Sequence, residues 1–293
     1  MTHVEDELNS QPECWTRAAA QAADHGGVLP AAGERVAVVG CGTSYFMAQA
    51  VAGLREAAGQ GETDAFAASE FPHGRRYDRV VALTRSGTTT EVLELLAGLR
   101  GRTRTTALTA DPDTPVMAAA DDVVVLEYAD ERSVVQTRFA TSALTLLRAH
   151  LGLHPDAAVT DARTALTEDL PQGLVDCRQF TFLGRGWTVG LANEAALKMR
   201  EASLSWTEAY PAMEYRHGPI SITTDSTATW MFGEAPDGLA EQVRQTGGLW
   251  IAGRLDPLAE LVRAQRLAVA VAAARGLDPD RPRHLTRSVI LAS

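Results

Sequence analysis

The feature that most constrains this chain is the regular exchange of short β-branched runs with helix-forming stretches. Arg35-Val-Ala-Val-Val39 stops at Gly40-Cys-Gly-Thr-Ser44, and a helical pattern carries on through about Ala58. Arg79–Thr84 reads as strand, Arg85-Ser-Gly-Thr-Thr-Thr90 as loop and Glu91–Arg100 as helix. Strands follow at Thr105–Thr109 and Val123–Leu126, with a short helix after Pro115 and a longer one from about Val134 to His150. Strands alternating with helices imply βαβ units and a parallel sheet covered on both faces.

The same plan restarts beyond a polar, Ala-rich stretch between Pro155 and Pro171 that reads as a linker containing a helix. Phe180-Thr-Phe-Leu183 is a strand, Gly184-Arg-Gly186 a turn and Val189–Ala202 a helix, followed by strands at Thr229–Phe232 and Leu249–Ala252. Leu255–Arg275 then reads as continuous helix where the first half has another strand, so the second half is shortened. The expected organisation is an N-terminal helical segment (1–30), a first α/β domain (31–152), a linker (153–172) and a second domain with the C-terminal tail (173–293). The fold class is α/β, two tandem doubly wound parallel sheets of flavodoxin-like type.

Composition removes several function classes. No window approaches the roughly 18 apolar residues of a membrane helix, and the start lacks a basic, apolar leader, so a cytoplasmic protein is expected, with no membrane partner. Over 293 residues the formal charge is −10. That balance repels a polyanion, so no nucleic-acid partner is expected, although a local pocket can still hold one small anion. Three scattered cysteines give neither a disulfide framework nor metal-type spacing.

In an open parallel sheet, ligands settle where strands end and helices begin. Two such loops are rich in hydroxyls. Gly40 and Gly42 permit a tight turn beside Thr43 and Ser44; Thr84, Ser86, Thr88, Thr89 and Thr90 crowd around Gly87. These hydroxyls either cap their helices or line a phosphate pocket, and their number favours the pocket. Tyr45 occupies the third glycine position of a dinucleotide fingerprint, and no Walker-type G-x-x-x-x-G-K-[ST] occurs. A phosphate monoester on a small metabolite fits best.

Glu194, Lys198 and Glu201 share one helix face at i, i+4 and i+7. They form either a solvated stripe or a working cluster. Lys198 is the only lysine among 27 basic residues. A compact ammonium where every other site uses arginine points to an interior or catalytic position. His217, before Gly218-Pro219, is either a structural histidine or a proton carrier near neutral pH; it has no partner at metal-ligand spacing, and no metal is expected.

Together these segments resemble the sugar isomerase (SIS) family in its two-domain form, in particular the isomerase half of glucosamine-6-phosphate synthase and the SIS-type amino-sugar-phosphate deaminases and deglycases. The resemblance runs through Glu7–Pro12, Gly40–Tyr45, Ala68–Phe71, Thr84–Thr89 and Glu131–Phe139, and on through Phe182–Gly186, Ala196–Glu201, Glu208–Pro219 and Asp280–Ser288. It implies a sugar phosphate held by Gly42, Thr43, Ser44, Thr84, Arg85, Ser86, Gly87, Thr89, Val134 and Arg287. It further implies Glu201 as the base moving a proton between C1 and C2, Lys198 one turn before it, and His217 assisting ring opening from a neighbouring subunit of a homodimer. No cofactor or metal is implied. The expected activity is an isomerase or deaminase acting on a 6-phosphorylated amino sugar such as glucosamine 6-phosphate, with a fructosamine-6-phosphate deglycase or a non-catalytic sugar-phosphate sensor as alternatives. Two positions depart from the synthase pattern: Arg85 replaces a glutamine, and Arg287 replaces a lysine able to form a Schiff base, which arginine cannot readily do. The resemblance does not extend to a glutaminase domain, and glutamine-dependent transfer is not expected.

Overall fold

The computed structural model describes residues 2–291. In chain order its elements are α1 (His3–Asn9), α2 (Gln11–Asp24), β1 (Val36–Gly40), α3 (Thr43–Ala57), β2 (Thr63–Ala67), β3 (Arg79–Leu83), α4 (Thr90–Leu99), β4 (Arg104–Thr109), α5 (Val116–Ala119), β5 (Asp122–Val125) and α6 (Arg138–His150). There follow α7 (Asp156–Thr167), β6 (Gln179–Gly184), α8 (Thr188–Ser203), β7 (Trp206–Pro211), β8 (Thr227–Met231), α9 (Leu239–Gln245), β9 (Leu249–Ala252) and α10 (Pro257–Ala274).

These elements form two compact units. One comprises Glu13–Pro155 together with the tail from His284; the other comprises the residues up to Pro12 together with Asp156–Arg283. This redraws the contiguous division expected from sequence, because each chain end is bound by directed hydrogen bonds. Asp280 accepts the backbone N–H groups of His3 and Val4 at 2.7 and 2.9 Å, closing the exposed N-terminus of α1, and the buried amides of Gln11 and Gln265 meet at 2.8 Å. The stretch expected as a linker contains α7, which packs against α10.

In the first of these units five parallel strands run in the order β2-β1-β3-β4-β5. The chain goes one way from β1 and returns on the other side at β3, so the strand order reverses between β1 and β3. β1 and β3 are buried along their whole length, as expected of central strands with helices on both faces. The second unit has a four-stranded parallel sheet, β7-β6-β8-β9. Its missing fifth strand is the shortening visible in the sequence, with α10 standing in that place and packing on α8.

Candidate active site

The switch between β1 and β3 is where an open α/β sheet leaves room for a ligand. Val39 and Ala82 are partners across these neighbouring strands, so the loops that follow leave the sheet side by side. After β1 the backbone turns at once into α3. A Cβ at Gly40 would lie 2.6 Å from Ser44 backbone and side-chain atoms, so only glycine lets the first helical turn close this tightly. Gly42 takes φ +54° as the N-terminal boundary of α3, which has no side-chain cap. Thr43 and Ser44 are both buried in its first turn.

After β3, Thr84–Thr89 leads into α4. Gly87 has φ +61°, and a Cβ there would lie 2.1 Å from Thr114 Oγ1. Its carbonyl accepts Val116 N–H at 3.2 Å, locking the turn onto the start of α5. Thr89 precedes the first residue of α4 and makes no side-chain cap. The capping explanation for these hydroxyls therefore fails at both helices. The Thr84 hydroxyl is buried with no hydrogen-bond partner among the described residues, a polar group the fold leaves unused. Ser86, Thr88 and Thr89 instead converge on one point, 3.1, 3.0 and 3.4 Å from the Ser288 hydroxyl of the tail. The three hydroxyls thus form a seat at the N-terminus of α4, the positive end of its dipole.

Arg85 and Arg287 do a different job in this structure. The Arg85 side chain is buried. Its guanidinium lies 3.6 Å from the equally buried Glu131 carboxylate, and donates to the Ser133 carbonyl at 2.9 Å, the Val134 carbonyl at 3.5 Å and the Arg287 carbonyl at 3.0 Å. Val134 thus offers its carbonyl to Arg85. Glu131 in turn accepts from Thr137 N–H, from Thr137 Oγ1 at 2.8 Å and from Arg138 N–H at 2.8 Å, a carboxylate on the N-terminus of α6. Arg287 donates to Asp130 at 2.6 Å and to the Glu131 carbonyl. Both guanidiniums are committed to protein groups.

In the other unit, α8 holds Glu194, Lys198 and Glu201. The solvated-stripe reading fails on burial: the Lys198 and Glu194 side chains are each 1% exposed, with Nζ 3.4 Å from Glu194 Oε1. Lys198 also pairs with Glu201, whose side chain is 18% exposed. A buried ammonium thus holds one carboxylate inside and turns a second toward solvent. Glu201 opens on a pocket of about 200 Å³ lined with Leu204, Leu277, Asp278, Arg281 and Arg283. Leu204, with φ +54°, ends α8 in the left-handed conformation and donates to the Arg200 carbonyl at 3.1 Å, fixing the last turn that bears Glu201.

Beyond β7 a 3-10 turn, Glu214–His217, leaves His217 exposed before Gly218 at φ +137°. Sequence reasoning did not single out Ser288, whose position becomes evident only when the tail is placed, nor Glu194 as a buried partner. The i, i+4 spacing of Glu194 and Lys198 was its available signal.

The first unit is thus a doubly wound sheet whose switch point carries a cluster of hydroxyls at a helix end. Residues 31–151 match the SIS domain. The chain is 27% identical over 320 residues to the glutamine–fructose-6-phosphate aminotransferase (isomerizing) of Xylella fastidiosa, covering 87% of this chain and 51% of that protein. It is 28% identical to the Caulobacter vibrioides counterpart over 98% of its own length. The chain spans about half the length of the curated relatives it matches. Among solved structures it is similar to glucosamine-6-phosphate deaminase of Thermotoga maritima (TM-score 0.80, 25% identity, 99% and 98% of the two chains). It shares the fold of tagatose-6-phosphate ketose/aldose isomerase of Escherichia coli (TM-score 0.82, 19% identity, 100% and 96% covered). No helix among the described residues is long and apolar enough to cross a membrane.

Proposed function

We propose that this protein is a phosphosugar isomerase or deaminase acting at C1 and C2 of a 6-phosphorylated amino sugar, with glucosamine 6-phosphate as substrate. The observation that carries the reading is the buried Lys198 holding Glu201 toward a pocket, in a chain that also bears an uncapped hydroxyl seat for a phosphate. The similarity to a glucosamine-6-phosphate deaminase over nearly the whole chain supports it.

In this reading Ser86, Thr89, Thr84, Thr43 and Ser44 hold the sugar phosphate. His217, from a second copy of the chain, passes a proton at the ring oxygen as the ring opens. Glu201 takes the proton from C2 of the open chain, and the electron pair moves into an enaminol held by nearby donors. The same carboxylate returns the proton to C1. The C2 imine that results adds water and releases ammonia, leaving the 2-ketose phosphate. The carboxylate ends as it began.

The test follows deuterium uptake at C1 and ammonia release from glucosamine 6-phosphate, with fructosamine 6-phosphates in parallel. A positioned general base contributes about 10²- to 10⁴-fold, so Glu201→Gln should lose turnover by that factor while thermal shifts show sugar phosphate still bound. Full turnover by Glu201→Gln overturns the assignment. Amine release from the fructosamine conjugates alone would make the protein a deglycase; binding without turnover of any sugar would make it a sensor.

A further inference from the structure

The strands of the first unit carry a second concentration of charge at their amino ends, on the opposite edge of the sheet from the hydroxyl loops. Arg35, Asp78 and Thr103 stand directly before β1, β3 and β4, whose first residues Val36, Arg79 and Arg104 are register partners. With His73, Arg75, Arg76 and Arg102 they line a cavity of about 700 Å³. The lining holds four guanidiniums and an imidazole against one carboxylate, in a chain whose formal charge is −10.

Two of the four arginines are held by neighbouring acids. Arg35 pairs with Glu62 at 3.1 Å with its guanidinium 5.2 Å from the centre of the Tyr77 ring, and Arg75 lies 3.6 Å from Asp64. Arg76 and Arg102 are exposed and make no ion pair or side-chain hydrogen bond among the described residues. The walls that bear them are fixed by the backbone. Asp78 N–H donates to the Arg35 carbonyl at 2.8 Å, Arg75 N–H to the Pro72 carbonyl at 2.9 Å and Thr103 N–H to the Leu99 carbonyl at 3.2 Å. The Asp78 carboxylate accepts Arg35 N–H at 2.7 Å, so the one acid of the lining is spent on tying the wall to β1. Crowded like charges weaken a folded state, and the fold makes no use of these two guanidiniums.

A concave site of this volume suits a small molecule, and guanidinium forks match phosphate oxygens. β1 and β4 lie two strand spacings apart, about 10 Å, so the cationic walls stand further apart than a single phosphate spans. We propose that this cavity binds a diphosphate group, with Arg76 and Arg102 as its principal ligands. The site is separate from the hydroxyl loops, because the five residues of β1 and of β3 put about 16 Å of strand between the two.

The diphosphate comes either free or on a nucleoside, so the full chain is titrated calorimetrically with inorganic pyrophosphate, with ADP and with inorganic phosphate. Pyrophosphate or ADP should bind more tightly than phosphate. Arg76→Gln and Arg102→Gln should each weaken that binding roughly ten-fold, the factor for one hydrogen bond to a charged group. Arg254→Gln, at an exposed arginine of the other unit paired with Glu168, and Ser86→Ala, in the hydroxyl loop, should leave it unchanged. ADP binding more tightly than pyrophosphate upholds the site as one for a nucleotide, and the reverse upholds it as one for the free anion. No binding of either by the unsubstituted chain, phosphate bound as tightly as pyrophosphate, or a loss in Ser86→Ala or Arg254→Gln equal to that in Arg76→Gln overturns the assignment.

Discussion

Replacing Lys198 by Met tests whether the buried cluster on α8 is held by charge. Methionine keeps a long apolar stem in the same space and removes only the ammonium. At 3.4 Å from Glu194, with an effective dielectric of about 20, the ion pair is worth about 5 kcal/mol of Coulomb attraction. The substitution also removes the cost of burying an ammonium, so the net loss expected is about 3–5 kcal/mol, the range for breaking one side of a buried pair. Pairing it with Glu194→Gln removes the stranded charge and should recover most of that loss. The assay is urea unfolding followed by tryptophan fluorescence. Four of the five tryptophans, Trp187, Trp206, Trp230 and Trp250, lie in the unit that carries α8. A buried carboxylate deprived of its ammonium takes up a proton, so the deficit of the single variant should shrink at acid pH. A single variant within about 1 kcal/mol of the parent, or a double variant no better than the single, would refute the view that charge pairing organises this face.

Two further outcomes follow from the seat. Gly87→Ala forces a Cβ to 2.1 Å from Thr114 Oγ1 at a φ of +61°, which should destabilise the loop by about 1–3 kcal/mol and abolish the phosphate-induced thermal shift, read by differential scanning fluorimetry. Burial, with Glu91 adding to it, pushes the Cys41 thiol up to about 11. Because the thiolate is the nucleophile, alkylation of Cys41 by iodoacetamide should rise about ten-fold per pH unit from 8 to 10, measured by peptide mass spectrometry. A rate already at its plateau at pH 9 would contradict the half-buried setting of that thiol beside Glu91.

Much of the fold was legible because the central strands must be apolar on both faces. Val36–Gly40, Arg79–Leu83 and Gln179–Gly184 announce themselves as apolar runs stopping at small or hydroxyl-bearing residues, and the structure has strands there. β2 (Thr63–Ala67) and β7 (Trp206–Pro211) were not foreseen. Both are edge strands, half-exposed and carrying an acid each, Asp64 and Glu208. Their strand character comes from pairing with β1 and β6 rather than from any pattern of their own. The 153–172 linker was read from its prolines and polar residues, yet the Ala-rich face of α7 packs on α10.

By itself, then, the sequence determined the two α/β sheets, the positions of the hydroxyl loops and the oddity of Lys198, because each follows from local periodicity, turn chemistry or residue choice. Only the tertiary structure decided where long side chains and chain ends go. Arg85 could have reached outward or into the seat, and instead turns inward to Glu131 because a buried carboxylate is there to receive it. Ser288 lies some 200 positions from the hydroxyls it meets, and no local pattern encodes a contact across that separation. Such contacts are set by the path of the whole chain.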